Sequence, residues 1–270
     1  MSNVREASSV ILLRRAPEGF EVFLVRRRKA ASFMASAFVF PGGGAEPGED
    51  ARTAAARELF EEAGVLLART AASFGQTLEM LTLEGLRRRI LDGANAAATL
   101  ANSGLEWSTD ALVPWSHWIT PSIEPKRFSA RFFVCELPSG QVPRFDAIET
   151  VDQLWVRPAD AIARAGELAL PPPQVRTCWE LAALPTIEAV VAEGRARAEE
   201  PHPILPRLRD TTTGQTPCLL LPWDPEYVDG GTGDSAPLAY QPAWARGPSR
   251  FVMEERAWKH VAAPGSTTAA

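Results

Sequence analysis

Glu58, Glu61 and Glu62 fall within the run DARTAAARELFEEA (50–63), which is composed largely of strong helix formers. Wound as a helix, the run sets Glu58 one turn from both Glu61 (i, i+3) and Glu62 (i, i+4), so three carboxylates share one region of its surface. Like charges packed so closely destabilise a helix and raise carboxylate pKa values. A divalent cation bound by the deprotonated oxygens best explains such a face. Carboxylate and water ligands suit Mg²⁺ or Mn²⁺, which keep positions open for phosphate oxygens. Arg57, four residues before Glu61, can brace that acid. The glycines Gly42–Gly44 let the backbone pass close to a cation or to phosphates. The chemistry suggested is cation-assisted attack of water on a phosphoanhydride. An isolated E-x-x-E-E would read as a solvated helix face. The full spaced set, Gly43, Glu49, Arg57, Glu58, Glu61, Glu62 and Gly64 with apolar Leu59 and Val65, is far more specific.

Several elements must hold this set in place. Ser8–Leu13 and Phe20–Val25 are short β-prone runs joined by the turn signal APEG, and together they predict a hairpin. Phe38–Phe40 is a further strand, stopped by Pro41 and the glycines. Asp50 is a predicted N-cap and Gly64 a C-terminal stop for the acidic helix. Val65–Ala68 reads as a strand. Gln76–Leu100 reads as a helical insertion (about 76–103), with Met80, Leu83, Ile90 and Ala94 near one face and Arg87–Arg89 mostly off it. Leu112–Ile119, Arg131–Leu137 and Gln153–Val156 follow as strands. Ala159–Ala165 and Gln174–Leu184 follow as helices, separated by Pro171–Pro173. Residues 1–200 form the main domain, and 201–270 a Pro/Gly-rich extension, irregular or β-rich, ending loosely at Gly265–Ala270. That extension packs either on the core or on a second subunit, which leaves room for a homodimer.

Composition narrows the class of partner. The chain has 270 residues, 46% of them hydrophobic and 23% charged, with a net charge of −5, so it is an ordinary folded protein without overall attraction to nucleic acid or an anionic membrane. No apolar run approaches the ~20 residues of a membrane helix. Cys135, Cys178 and Cys218 are widely spaced and read as buried thiols in a reducing compartment. With no signal-peptide pattern at the N-terminus, the expected location is the cytoplasm. His117, between two tryptophans, reads as packed or hydrogen-bonded.

At its defining positions Gly43–Val65 resembles the Nudix box of the Nudix hydrolases. That resemblance implies an α/β fold, an α/β/α sandwich with a mixed sheet in which the box forms loop–helix–loop. It also implies that Glu58, Glu61 and Glu62, helped by the Gly42 carbonyl, hold Mg²⁺ or Mn²⁺. A later acid commonly joins these ligands, and Glu149 stands where that acid lies. Glu61 and Glu149 are thus the candidate bases, with Arg57 completing the catalytic set and box residue Gly43 assigned to substrate binding. Phe33-Met34-x-x-Ala37-x-Val39-Phe40-Pro41-Gly42-Gly43, Trp115-Ser116-x-Trp118-Ile119-Thr120-Pro121, Arg127-Phe128 with Phe132-Phe133, and Leu170-Pro171-Pro172-Pro173-Gln174 resemble the subgroup of Nudix motif-containing protein 19. The subgroup implies a coenzyme A or acyl-coenzyme A substrate, cleaved to 3′,5′-ADP and an (acyl-)phosphopantetheine. Other small nucleotide-linked substrates, ADP-ribose and NADH among them, stay open, as does a non-catalytic nucleotide sensor. A coenzyme A signature of other Nudix subgroups has an arginine and a glycine near Ser32 and Ser36; only Arg27 fits it. Arg27, in the basic cluster 26–29, and Arg127 are candidate phosphate contacts. Phe38 is a candidate for stacking on adenine, as are Phe33, Trp115, Trp118 and Phe128, although most of these aromatics suit a core.

Overall fold

A computed structural model describes residues 4–31, 34–70, 80–199, 201–209, 216–255 and 257–264, with backbone alone for 80–82. Ser32, Phe33, the start of the expected insertion (76–79), the Met80 side chain and the tail Gly265–Ala270 lie outside the described residues. The chain opens with the expected hairpin, β1 (Arg5–Ala16) and β2 (Gly19–Arg27), closed at Ala16↔Gly19. Then come β3 (Phe38–Val39), β4 (Gly42–Gly44), α1 (Ala51–Ala63) and β5 (Ala68–Thr70). Val65, Leu66 and Leu67 are buried but sit ahead of β5, so the strand expected at 65–68 is displaced towards its C-terminal end. Their side chains fill clusters on either side of α1, and this burial gives the apolar run that looks like a strand.

The insertion is two helices, α2 (Met80–Leu91) and α3 (Ala96–Ala101), rather than one, because Gly93 turns the chain at φ +95° between them. After β6 (Leu105–Trp107), which pairs with β5, come β7 (Val113–Ile119), β8 (Phe128–Glu136), β9 (Thr150–Val156), α4 (Pro158–Ala163) and α5 (Pro172–Ala182). A further helix, α6 (Ile187–Glu199), has no counterpart in the sequence reading. Its Gly194 lies so close to β7 that a Cβ there would meet Val113 Cγ1 at 2.9 Å. The small residue lets the helix dock and also blurs its apolar stripe.

Eight strands form the main sheet. Its order is β10 (Pro203–Ile204), β7, β8, β1, β2, β3, with β4 beside the first half of β1 and β9 along the other edge of β2. β1 and β8 are parallel, as are β7 and β10, whereas the other pairs are antiparallel, so the sheet is mixed. Alternation along the central strands sends Val10, Leu12, Phe23 and Val25 to one face, where they meet Ala55, Ala56, Leu59 and Ala63 of α1. Ile11, Leu13, Val22 and Leu24 go to the other face, against Val175, Cys178 and Leu181 of α5 and Val190 of α6. Helices thus cover both faces, giving the α/β/α sandwich.

Beyond β10 the chain builds a second, antiparallel sheet from β11 (Arg207–Arg209), β12 (Cys218–Leu220), β13 (Gly231–Thr232), β14 (Arg250–Glu254) and β15 (Ala257–Val261), in the order β13-β11-β12-β14-β15. Its Leu221, Trp244, Ala245 and Phe251 belong to the main core on the α5 face. Arg176, fully buried, fastens it there. The guanidinium pairs with Glu180 at 2.7 Å and donates to the carbonyls of Trp244 and Arg246 at 2.9 and 2.8 Å. Glu180 also accepts from Arg197 and from Trp115 Nε1. All three cysteines are buried and free, as their spacing suggested.

Candidate active site

Helix α1 is fixed at both ends. Asp50 accepts hydrogen bonds from the N–H groups of Arg52 and Thr53 at 2.9 and 3.0 Å and from the Thr53 hydroxyl at 2.7 Å. At the other end Gly64, with φ +68°, donates its N–H to the Phe60 carbonyl. Arg87 of α2 donates twice to the Glu61 carbonyl, at 3.0 and 2.7 Å, placing a cation at the helix C-terminus where the dipole favours one.

The glycine strand β4 reaches the helix through its register. Val10 N–H bonds the Pro41 carbonyl and Ala45 N–H bonds the Glu6 carbonyl, so the hydrogen-bonded positions alternate through Pro41, Gly43 and Ala45. Gly42 and Gly44 occupy the intervening positions, and their polar groups point away from β1. Gly42 N–H donates to Glu62 Oε2 at 2.8 Å, and the Gly44 carbonyl accepts from Arg57 Nη2 at 2.8 Å. A Cβ on Gly42 would collide with Ser8 and Ser9, and one on Gly43 would stand 2.6 Å from both carboxylate oxygens of Glu58. The glycines are required by close approach to β1 and to Glu58.

Arg57 is the hub of the acids and only 4% exposed. Its Nε and Nη2 each lie 3.0 Å from Glu49, while Nη1 bonds Glu58 at 2.9 Å and Glu61 at 3.2 Å. These carboxylates hold the guanidinium charged. Burial raises Glu58 to about 7 against the pull of Arg57, with Glu61 adding to the rise. Burial likewise raises Glu61. Glu62, 3% exposed, is pushed up to about 8 by burial and then by the charge on Glu58; the Gly42 N–H and Arg27 act in the opposite direction.

Among the described residues no three His, Cys, Asp or Glu side chains already converge into a closed cation site. Glu58 and Glu61 instead turn onto Arg57, and Glu62 onto Gly42. The donor set nevertheless fits Mg²⁺ or Mn²⁺. It consists of hard carboxylate oxygens whose burial leaves them short of positive charge, with space at Glu58 kept by the missing Cβ of Gly43.

The family described as the NUDT19 Nudix domain matches residues 45–183, more than half of the chain. The chain belongs to the Nudix hydrolases. Among curated relatives, a Caenorhabditis elegans protein named "Putative nudix hydrolase 7" is 28% identical over 84% of this chain and 76% of its own length. Human acyl-coenzyme A diphosphatase NUDT19 is 33% identical over 66% of this chain; the chain spans about half, 51%, of that protein. A crystal structure of a NUDIX hydrolase from Alicyclobacillus acidocaldarius superposes with a TM-score of 0.64 at 27% identity, covering 71% of this chain and 97% of that one.

In this Nudix hydrolase the other expected site residues divide into two groups. Glu149 precedes β9, and its charge acts on both Glu58 and Glu62. Its backbone is set by Asp146, whose carboxylate accepts from the N–H groups of Ile148, Glu149 and Thr150 and from the Thr150 hydroxyl. Arg27, paired with Thr150 across β2 and β9, acts on Glu62 by its charge and has a buried Nε without a hydrogen-bond partner. Both act on the acids through their charge. Phe38, beside Arg26 in β3, packs against the core on the α5 face, and Arg26 lies over its ring. Arg127, 7% exposed, donates to the Thr120 carbonyl and pairs with Asp234 of the extension. Neither Phe38 nor Arg127 is seen bonded to the acids. Trp115 and Trp118 are core, and His117 bonds Ser129. Sequence reasoning missed the Glu49–Arg57 bond, the Arg87 cap and the Asp146 brace. Only Asp146 left a local signal, an Asx residue ahead of a turn. Among the described residues no helix is long and apolar enough to cross a membrane.

Proposed function

We propose that this protein hydrolyses the diphosphate linkage of a nucleoside diphosphate derivative, and that the derivative is coenzyme A or an acyl-coenzyme A, released as 3′,5′-ADP and an (acyl-)phosphopantetheine. The observation that carries the reaction type is the buried Arg57 gathering Glu49, Glu58 and Glu61 beside Glu62 and the glycine strand. The substrate class is supported by relatives named acyl-coenzyme A diphosphatase NUDT19 in human and Xenopus laevis, of whose lengths this chain covers 51% and 58%.

Glu58, Glu61, Glu62 and the Gly42 carbonyl would hold Mg²⁺ or Mn²⁺. When bound, such ions neutralise the diphosphate and acidify the attacking water. Arg57 keeps Glu58 and Glu61 on one side of the helix and offsets part of their repulsion. Glu149, exposed on a loop with its backbone fixed by Asp146, would take the proton of the attacking water, with Glu61 as the other candidate base. Water oxygen bonds to one phosphorus as the bridging P–O bond breaks, and the second phosphate leaves as an anion. Arg27, whose charge acts on Glu62, would meet the substrate's phosphates, with Gly43 giving the backbone close access; Phe38 is the candidate for stacking on adenine and Arg127 a second phosphate contact.

The test is a panel of coenzyme A, acyl-coenzyme A, ADP-ribose and NADH with Mg²⁺ or Mn²⁺, products being weighed by mass spectrometry. Release of 3′,5′-ADP, abolished by chelator, is the expected result. Turnover of ADP-ribose or NADH with both coenzyme A substrates left intact would overturn the substrate assignment.

A further inference from the structure

Ser8 lies in β1 at 1% exposure, and its hydroxyl oxygen has no hydrogen-bond partner. Buried hydroxyls are normally bonded, because an unmade bond leaves the desolvation of the group uncompensated. The residues that share its face, Val10 and Leu12, are apolar and pack beneath α1. Packing alone therefore gives no reason for a polar group at this position.

The neighbouring residues supply one. Ser8 stands opposite Gly43 in the β1–β4 register, and side chains of directly opposed residues project to the same face with Cβ positions ~4.5–5.5 Å apart. The Cβ position of Gly43 is itself 2.6 Å from both carboxylate oxygens of Glu58. The Ser8 hydroxyl thus sits beside the gap between β4 and α1 that Glu58 occupies. On the helix side of that gap Arg57 Nη1 holds Glu58 Oε1 at 2.9 Å. On the strand side the register brings the unbonded Ser8 hydroxyl to the same gap.

We propose that Ser8 is a positioning residue of the acid cluster: its hydroxyl donates to Glu58 when that carboxylate turns to hold a divalent cation, fixing its orientation from the strand side. The inference rests on the cation-binding role given to Glu58 above.

The full chain is compared as parent, Ser8→Ala, Ser8→Cys and Glu58→Gln. Mn²⁺ binding is followed by electron paramagnetic resonance of the free ion, and melting is recorded separately in chelator. Ser8→Cys fills nearly the same space with a much weaker donor. Both Ser8 variants should bind Mn²⁺ about tenfold more weakly, as loss of an outer-sphere partner does. Their melting temperatures in chelator should match or exceed that of the parent, because no bond is lost. Parent-like binding by both Ser8 variants, with weak binding by Glu58→Gln, would remove Ser8 and leave the cation reading in place. A Ser8→Ala chain melting well below the parent in chelator would make the hydroxyl structural and overturn the proposal. A folded parent that takes up no Mn²⁺ would overturn both readings.

Discussion

Replacing Arg57 with methionine keeps a buried stem of similar length and removes the guanidinium. The Arg57 side chain is 5% exposed, so water cannot take over its role. The substitution strips the partner from Glu49, Glu58 and Glu61, whose side chains are 11%, 13% and 23% exposed, and leaves the Gly44 carbonyl without its donor. Charge-assisted bonds contribute about 1.5–3 kcal/mol each, but bonds sharing one guanidinium do not add. Breaking a buried ion cluster by removing one member costs about 3–5 kcal/mol. Protonation of the freed acids recovers part of that, so we predict a loss of about 3 kcal/mol in chelator at pH 7. For a chain of this size that corresponds to a melting temperature roughly 6–12 °C lower. Mg²⁺ or Mn²⁺ should restore part of the loss by supplying positive charge to the folded state alone. Turnover should stay low, since Glu58 and Glu61 no longer share an anchor. Melts and urea titrations with and without Mg²⁺ measure both effects. A variant within about 1 kcal/mol of the parent in chelator would refute the reasoning.

Glu62 gives a prediction in pH. Its folded-state value of about 8 lies above the ordinary 4.5, so its contribution to stability is complete below about 4.5 and is lost as pH rises through about 8. In chelator the parent should lose thermal stability across that window, and Glu62→Gln should lose less; superimposable pH profiles would count against the burial of a charge there. Gly43→Ala puts a methyl group 2.6 Å from the Glu58 oxygens, so Mn²⁺ affinity should fall while the circular dichroism spectrum is kept. Equal affinity, measured by calorimetry, would show that Glu58 can move aside freely. Asp50→Ala removes the α1 cap and should cost about 1 kcal/mol in urea melts at pH 7. Because bonds from Thr53 lower the Asp50 pKa, that difference should vanish as pH falls through its folded value, and a pH-independent difference would assign the loss to something other than the cap.

What the sequence revealed was what depends on near neighbours. The caps of α1, Asp50 and Gly64, were legible because they act within one turn. Helical spacing also gave the Arg57–Glu61 pair, yet the shorter bonds of Arg57 go to Glu58, Glu49 and Gly44. Glu49 lies ahead of the helix, and Gly44 on a strand brought in by β1, so no helical period connects either of them to Arg57. Arg27 and Arg127 looked alike in the sequence, as basic candidates for phosphate contact. Sheet register separates them, giving one to Glu62 and the other to Thr120 and Asp234. For the extension the sequence left irregular and β-rich structure both open, and its attachment was not legible, since Arg176 meets the Trp244 and Arg246 carbonyls across about seventy residues of chain.

That attachment divides responsibilities between the two sides of the molecule. Arg176 and the segment it grips pack against the sheet face opposite the one α1 covers. An inherited or engineered lesion around 244–251 should therefore lower the amount of folded protein that survives quality control, while each surviving molecule works at its normal rate. Measured in crude extract, such a defect would pass for an impaired enzyme; normalised to folded protein, it would disappear.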